Sequence, residues 1–150
     1  MTTKNSIQEF ISKKNIAIAG VSRDAKKFGY QVFKELKNKG YTVYPVNPNA
    51  DEIEGVKCYH TISNLPEEVE SMLITTNKSH TDKLIKESID KGILNIWVQQ
   101  TSQTKESVNF ASNNSVNLIF NHCIFMFIEP VSGIHKFHRF LKGLFGGLPK

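Results

Sequence analysis

The sequence is poor in cysteine and has no long apolar run, and these absences exclude several classes of protein. Two cysteines in 150 residues do not make a disulfide framework, so we expect free thiols. The most hydrophobic stretch, Cys123–Ile128, is far shorter than the ~18 residues that a membrane-spanning helix needs. The start of the chain, Met1–Asn5, lacks the apolar segment of a secretory signal. We therefore expect a cytoplasmic protein without membrane contact.

The charge is unbalanced towards the positive sign. With 19 Lys and Arg against 14 Asp and Glu, the net charge is +5 and the pI is about 9.2, which favours an anionic partner. The basic residues are scattered, and neither an RNA-binding aromatic signature nor zinc-finger spacing is present, so nucleic acid is not expected. The length suits one hydrophobic core, and we predict a single domain over residues 1–150.

Short apolar runs alternate with amphipathic segments along the chain. The first run, Asn15–Ala19, is nearly all apolar and is followed by Gly20, which is typical of a strand covered on both faces. Strands are predicted at 15–19, 41–46, 71–75, 95–98 and 117–120, with an extra edge segment near 56–59. Helices are predicted at 6–12, 29–39, 80–91, 105–114 and 134–145, the first of them capped by Ser6 with Glu9. This order predicts an α/β protein with a doubly wound, mainly parallel five-stranded sheet and helices on both faces.

Ligands of such sheets bind beyond the carboxyl ends of the strands. We expect four segments at this edge, namely 20–29, 47–49, 76–79 and 99–101. The first contains the Ser22 hydroxyl, a predicted helix N-terminus and the cations Arg23, Lys26 and Lys27, a set that suits phosphates. An ordinary loop with solvated lysines explains the same composition, so both interpretations stay open here.

The dinucleotide-binding pattern is absent from this segment. Gly20 and Gly29 stand at its two ends without the G-x-G-x-x-G spacing, and the predicted second strand runs into Asn47 and Pro48 where NAD sites place an acid. The nearest acid, Asp51, falls too late in the loop. A nicotinamide site is therefore disfavoured.

Six motifs, spread over nearly the whole chain, carry a family resemblance. They are IAIAGVSRDAKKFG at 16–29, GYTVYPVNP at 40–48, GVKCY at 55–59, LPEEVE at 65–70, GILNIWVQQ at 92–100 and NHCIFMF at 121–127. On these motifs the chain resembles the stand-alone CoA-binding domain proteins, which are related to the CoA-binding domain of the succinyl-CoA synthetase alpha subunit. The resemblance implies a Rossmann-like fold with coenzyme A lying across the carboxyl edge of the sheet.

The resemblance also implies roles by position. Phosphates would contact Gly20, Val21, Ser22, Arg23, Lys26 and Lys27, with Gly29 allowing a close helix approach. The adenosine end would meet Asn47 and Pro48, the middle of the ligand Thr75 and Thr76, and the pantetheine arm Val98, Gln99 and Gln100. The sequence departs from the family where a Gly usually follows the Trp-x-Gln segment, because Thr101 and Ser102 stand there.

The resemblance leaves the choice between a binder and an enzyme open. A ligase of the succinyl-CoA synthetase type needs an ATP-grasp domain and a phosphorylated histidine, which do not fit in this length. We expect a non-catalytic module that binds CoA or acyl-CoA, with a homodimer or a protein partner left open. The alternatives are a small redox or acyl-transfer enzyme using Cys123, beside which His122 stands, and an NADP-binding oxidoreductase fragment. No metal site is expected, because a basic helix face explains His135 and His138 better than a metal pair does.

Overall fold

The computed structural model describes residues 2–128. The predicted helix at 134–145, with His135 and His138, lies outside the described residues. The single domain over 1–150 thus stays a prediction. No helix in the described part of the chain is both long and apolar enough to cross a membrane.

Five short parallel strands form the main sheet. In chain order the strands of the structure are β1 (Asn15–Ala19), β2 (Thr42–Val46), β3 (Glu52–Ile53), β4 (Val56–Lys57), β5 (Ser71–Ile74), β6 (Asn95–Val98) and β7 (Asn117–Ile119). The main sheet has the order β2-β1-β5-β6-β7 and every pairing in it is parallel. β3 and β4 form a separate antiparallel hairpin. The predicted five-stranded parallel sheet is confirmed.

In the described part of the chain, four α-helices cover the two faces of this sheet. They are α1 (Lys4–Ser12), α2 (Phe28–Asn38), α3 (Lys78–Asp90) and α4 (Lys105–Asn113). Because side chains alternate along a strand, β1 sends Ile16 and Ile18 into the core beneath α1 and α2, and Ala17 and Ala19 into the core beneath α3 and α4. The doubly wound arrangement predicted from the alternating pattern is therefore present.

The first helix corrects one prediction. Its cap is Thr3, whose hydroxyl accepts a hydrogen bond from the Ser6 N–H at 3.1 Å, while the Ser6 hydroxyl accepts one from the Thr3 N–H at 2.9 Å. The predicted cap at Ser6 with Glu9 is wrong, because Ser6 is already the third residue of the helix. The other predicted bounds of helices and strands within 2–128 agree to within two residues.

The segment between β2 and β5 leaves the sheet and returns to its edge. After the hairpin of β3 and β4, Tyr59 forms a parallel bridge to Val46 at the end of β2. The Tyr59 N–H donates to the Pro45 carbonyl at 2.8 Å, and the Asn47 N–H donates to the Tyr59 carbonyl at 2.9 Å. The edge segment predicted near 56–59 is therefore divided between β4 and this bridge. The bridge places the residue after Tyr59 at the carboxyl edge of the sheet.

Candidate functional site

A cleft of about 470 Å³ opens at the carboxyl edge of the sheet. One wall consists of the ends of β1 and β2 and the segment after Tyr59, and the other wall is α3. Its lining residues are Ala19, Gly20, Val21, Ser22, Val46, Asn47, Pro48, His60, Thr61, Ile62, Thr76, His80, Lys83, Leu84 and Glu87. The volume lies in the range of small-molecule sites, about 300–1,000 Å³. Six of the residues expected to bind a ligand line it, namely Gly20, Val21, Ser22, Asn47, Pro48 and Thr76.

Two glycines bring the start of α2 against the end of β1. Gly20 has φ +94°, a conformation that side chains rarely adopt, and a Cβ there would lie 2.7 Å from the Thr75 hydroxyl. A Cβ on Gly29 would lie 2.2 Å from the Gly20 carbonyl oxygen. The Thr75 hydroxyl donates to the Ala19 carbonyl at 2.8 Å, so Thr75 fixes this junction. The close packing leaves room beside Gly20 for backbone atoms and for no side chain.

The loop between β1 and α2 is ordered by its own hydrogen bonds. The Ser22 hydroxyl accepts from the Asp24 N–H at 3.0 Å, and the Asp24 carboxylate accepts from the Lys26 N–H at 2.9 Å. Within residues 2–128 no side chain caps α2, whose N-cap residue is Lys27, whereas Thr3, Asn77 and Thr104 cap α1, α3 and α4. The uncapped end therefore keeps free N–H groups and partial positive charge.

The cations of this loop point into solvent. Arg23, Lys26 and Lys27 are exposed, and none of them forms an ion pair with a carboxylate of residues 2–128. They follow Ser22, which lines the cleft, but do not line it themselves. The loop thus offers positive charge beside the cleft that no carboxylate in this range neutralises.

The Asn47 side chain connects the loop after β1 with the loop after β2, and these two loops form the rims of the cleft. Its side-chain NH₂ donates to the Val21 carbonyl at 2.7 Å, and its side-chain oxygen accepts from the Asn49 N–H at 2.8 Å. The Cys58 thiol lies 3.8 Å from the Asn47 carbonyl oxygen, and burial raises the pKa of that thiol. The Asn47 amide is therefore committed within the protein, and Cys58 is a buried thiol beneath the rim.

Both walls contain polar residues that the sequence interpretation missed. His60, His80 and Lys83 line the cleft, and His60 Nε2 lies 2.8 Å from the Asp51 carboxylate. No local pattern marks these residues, because His60 reaches the cleft through the bridge of Tyr59 and the other two reach it through the packing of α3.

The pantetheine candidates lie away from the cleft. Val98 is fully buried in the sheet. The Gln99 side-chain oxygen accepts from the Ile124 N–H at 3.3 Å, and Gln100 is exposed in a turn. Next to them Thr101 has φ +76°, a left-handed conformation that is costly for a β-branched residue. None of Val98, Gln99 and Gln100 is among the residues that line the cleft.

Cys123 also lies outside the cleft lining. It is partly buried and precedes a short 3₁₀ helix, Ile124–Met126. The Trp97 indole N–H donates to the His122 carbonyl at 3.0 Å and so holds this segment against β6. The described residues contain no group of three or more His, Cys, Asp or Glu side chains that could hold a metal ion.

Comparisons with known proteins agree with this architecture. A family model described as CoA binding domain matches residues 14–129. The alpha subunit of ADP-forming acetate–CoA ligase II from Pyrococcus furiosus is 32% identical over 126 residues, which cover 77% of this chain and 28% of the subunit. The matched region therefore spans less than a third of that relative.

Two solved structures share the fold over most of their length. A conserved hypothetical protein from Pyrococcus furiosus is 34% identical with a TM-score of 0.72, covering 74% of this chain and 96% of that one. A hypothetical protein from Pyrococcus horikoshii OT3 is 27% identical with a TM-score of 0.78, covering 89% and 94%. The resemblance drawn from the six motifs is thus confirmed, and the chain belongs to the CoA binding domain family.

Proposed function

We propose that this protein binds coenzyme A or an acyl-CoA in the cleft at the carboxyl edge and catalyses no reaction on it. The observation that carries the proposal is the uncapped start of α2 with three cations beside the cleft, free of ion pairs to carboxylates within residues 2–128. Membership of the CoA binding domain family names the ligand class.

The phosphates of the ligand would lie at the loop between β1 and α2. Helix N-termini bind anions through free N–H groups, and a charge-assisted hydrogen bond contributes about 1.5–3 kcal/mol when it is shielded from water. Lys26 and Lys27 are exposed, so each contributes less than this range suggests. The junction of Gly20 and Gly29 supports the assignment, because it packs the start of α2 against the end of β1, where Gly20 lines the cleft.

The polar groups near β2 argue against NAD. An NAD site places a carboxylate on the adenosine ribose at the end of the second strand. Here the Asn47 amide bonds Val21, and the Asp51 carboxylate bonds His60 without lining the cleft. Among residues 2–128 no acid therefore lines the cleft at the end of β2, and Glu87, the acid that does line it, lies on α3.

The position of Cys123 favours binding over thiol chemistry. The lining of the cleft, as far as residues 2–128 describe it, contains no cysteine. Incubation with CoA disulfide followed by intact-mass analysis tests this point. No adduct is expected on native protein, and an adduct that disappears in Cys123→Ala would contradict the non-catalytic proposal.

Calorimetric titration with CoA, dephospho-CoA and NAD tests the proposed ligand. CoA should bind most tightly, and equal or absent binding of all three would defeat the proposal. Lys26→Glu and Lys27→Glu should each weaken CoA binding about tenfold, because each reverses a charge beside the phosphates. Lys105→Glu, an exposed charge reversal on α4, is the matched control and should leave affinity unchanged. Native affinity in both loop variants would remove the phosphate assignment.

A further inference from the structure

We propose that His60, His80 and Lys83 bind the 3′-phosphate on the adenosine ribose of coenzyme A. The cleft then distinguishes this ligand from nucleotides whose ribose carries no phosphate. The inference rests on the proposed binding of CoA and goes further, because it assigns ligand specificity to cleft residues that lie outside the phosphate loop.

His60 lies at the carboxyl edge of the sheet, next to the end of β2. Tyr59 pairs in parallel with Val46, the last residue of β2, so His60 follows at the carboxyl end of the sheet beside Asn47. In doubly wound sheets this position contacts the adenosine ribose, where an acid binds the free hydroxyls and a cation accommodates a ribose phosphate. Here Asn47 stands where the acid would be, and a histidine beside it favours a phosphorylated ribose.

The His60 ring is held in place by Asp51. Its Nε2 lies 2.8 Å from the Asp51 carboxylate, and Asp51 does not line the cleft whereas His60 does. With one ring nitrogen held by Asp51, Nδ1 is the nitrogen left for a ligand. In the protonated ring Nδ1 carries an N–H that can donate to a phosphate oxygen.

The facing wall, α3, contributes two further basic side chains. His80 lies in the first turn of this helix and Lys83 lies three residues later, so both belong to one face, which lines the cleft. The Lys83 ammonium lies 3.7 Å from the Glu87 carboxylate, but the Lys83 side chain is 76% exposed. Exposed pairs of this kind are weak, about 0.3–0.5 kcal/mol, so Lys83 is able to turn towards a ligand.

The basic side chains near the cleft fall into two groups. Arg23, Lys26 and Lys27 belong to the loop before α2 and do not line the cleft, whereas His60, His80 and Lys83 do. Coenzyme A also carries its phosphates in two places, a diphosphate in the chain and a monoester on the ribose. Two separate groups of basic side chains match two separate groups of phosphate charge.

The experiment compares affinities for CoA, dephospho-CoA, NADP and NAD in the native protein and in His60→Asn and Lys83→Ala. Native protein should prefer CoA over dephospho-CoA by about tenfold or more. Each variant should lose about threefold to tenfold in affinity for CoA and nothing for dephospho-CoA, because the second ligand lacks the contacted group. Lys86→Ala is the matched control, since Lys86 lies on the same helix, lines a different hollow beside α4 and should leave both affinities unchanged.

The outcomes separate this inference from the proposed function. If native protein binds CoA and dephospho-CoA equally, or if both variants weaken the two ligands equally, CoA binding stands and the assignment of these side chains fails. NADP bound as tightly as CoA would overturn the choice of the 3′-phosphate, because a phosphate on the neighbouring hydroxyl would then serve as well. Absence of any CoA binding by native protein would defeat the proposed function and the inference with it.

Discussion

The two halves of the carboxyl edge use their loops differently. In the open half, the loops after β1 and β2 border the cleft. In the closed half, formed by residues 99–104 and 120–128 after β6 and β7, side chains bond neighbouring backbone groups. The Ser102 hydroxyl donates to the Thr76 carbonyl at 3.0 Å, and the Thr81 hydroxyl donates to the Ser102 carbonyl at 2.7 Å. The loops of the open half also form hydrogen bonds of their own, yet within residues 2–128 the cleft opens beside them and not beside the loops after β6 and β7.

The largest expected effect comes from breaking the closed half at Trp97. This side chain is fully buried, packs edge-on against Phe10 at 5.3 Å between ring centroids, and donates to the His122 carbonyl. Trp97→Ala should lower the free energy of unfolding by about 3–5 kcal/mol, because it leaves a large cavity and removes the indole donor to that carbonyl. Denaturant unfolding measures the loss, and hydrogen exchange should show residues 122–128 losing protection before residues 20–22 do.

Leu94→Ala is the control for this prediction. Leu94 precedes β6 and is 43% exposed, so its truncation should change stability by no more than about 0.5 kcal/mol. Equal losses in the two variants would show that Trp97 does not anchor the closed half.

The next largest loss of stability is expected from a substitution of Gly29 in the open half. Alanine in a helix is normally more stable than glycine, but a Cβ on Gly29 would lie 2.2 Å from the Gly20 carbonyl oxygen. Gly29→Ala should therefore destabilise the protein by about 1–3 kcal/mol through overpacking, and CoA affinity should fall because α2 is displaced. Thermal unfolding and calorimetry measure the two consequences.

Gly40→Ala separates crowding from backbone conformation. Gly40 has φ +84°, and a Cβ added there would meet nothing within 4 Å. Its substitution should therefore cost about 1 kcal/mol by strain alone and leave CoA affinity intact. A gain in stability for Gly29→Ala would contradict the close packing described at this junction.

A smaller loss of stability is expected when the Asn47 hydrogen bonds that connect the two rims of the cleft are removed. Asn47→Ala removes the donor to the Val21 carbonyl and the acceptor of the Asn49 N–H, and should cost about 1–2 kcal/mol. CoA affinity should fall as well, because the rims would no longer be held at a fixed separation. Asn49→Ala keeps the Asn47 side chain and should change neither quantity; a loss in this control equal to that in Asn47→Ala would remove the special role of Asn47.

The smallest expected effect is a gain in stability from a substitution in the closed half. Thr101 has φ +76°, which costs a β-branched residue about 1 kcal/mol or more. Thr101→Gly should stabilise the protein by up to about 1 kcal/mol, reduced by the greater backbone freedom of glycine in the unfolded chain. Chemical denaturation checks the sign, and a clear loss of stability would show that the Thr101 side chain makes a compensating contact. CoA affinity should not change, because Thr101 lies outside the cleft lining.

The sheet was predictable because its signals are local. Asn15–Ala19 is apolar throughout since both of its faces are covered, and Gly20 after it has the positive φ that a glycine tolerates. The location of the site followed from the same reasoning, since strands of one parallel sheet end at one edge. The first cap was missed because Thr3 and Ser6 bond each other in the way that a Ser and a Glu usually do.

The presence of His60, His80 and Lys83 in the cleft was not predictable, because it depends on contacts between distant segments. His60 meets the cleft through the pairing of Tyr59 with Val46, and α3 supplies the facing residues. Conversely, Asn47 and Gln99 are polar residues at the correct edge whose hydrogen-bonding groups are used within the protein. Residue type and position at the edge therefore indicate where a site lies, and the hydrogen bonds decide which side chains remain available.

The return of the chain from Asn47 to Tyr59 has a consequence for how this scaffold can change. Both ends of the excursion are held by backbone hydrogen bonds beside β2, and its interior is anchored as well, because Ala50, Ile53 and Cys58 are buried in the core. A change of length inside the excursion would therefore disturb the core together with the residue that follows it into the cleft.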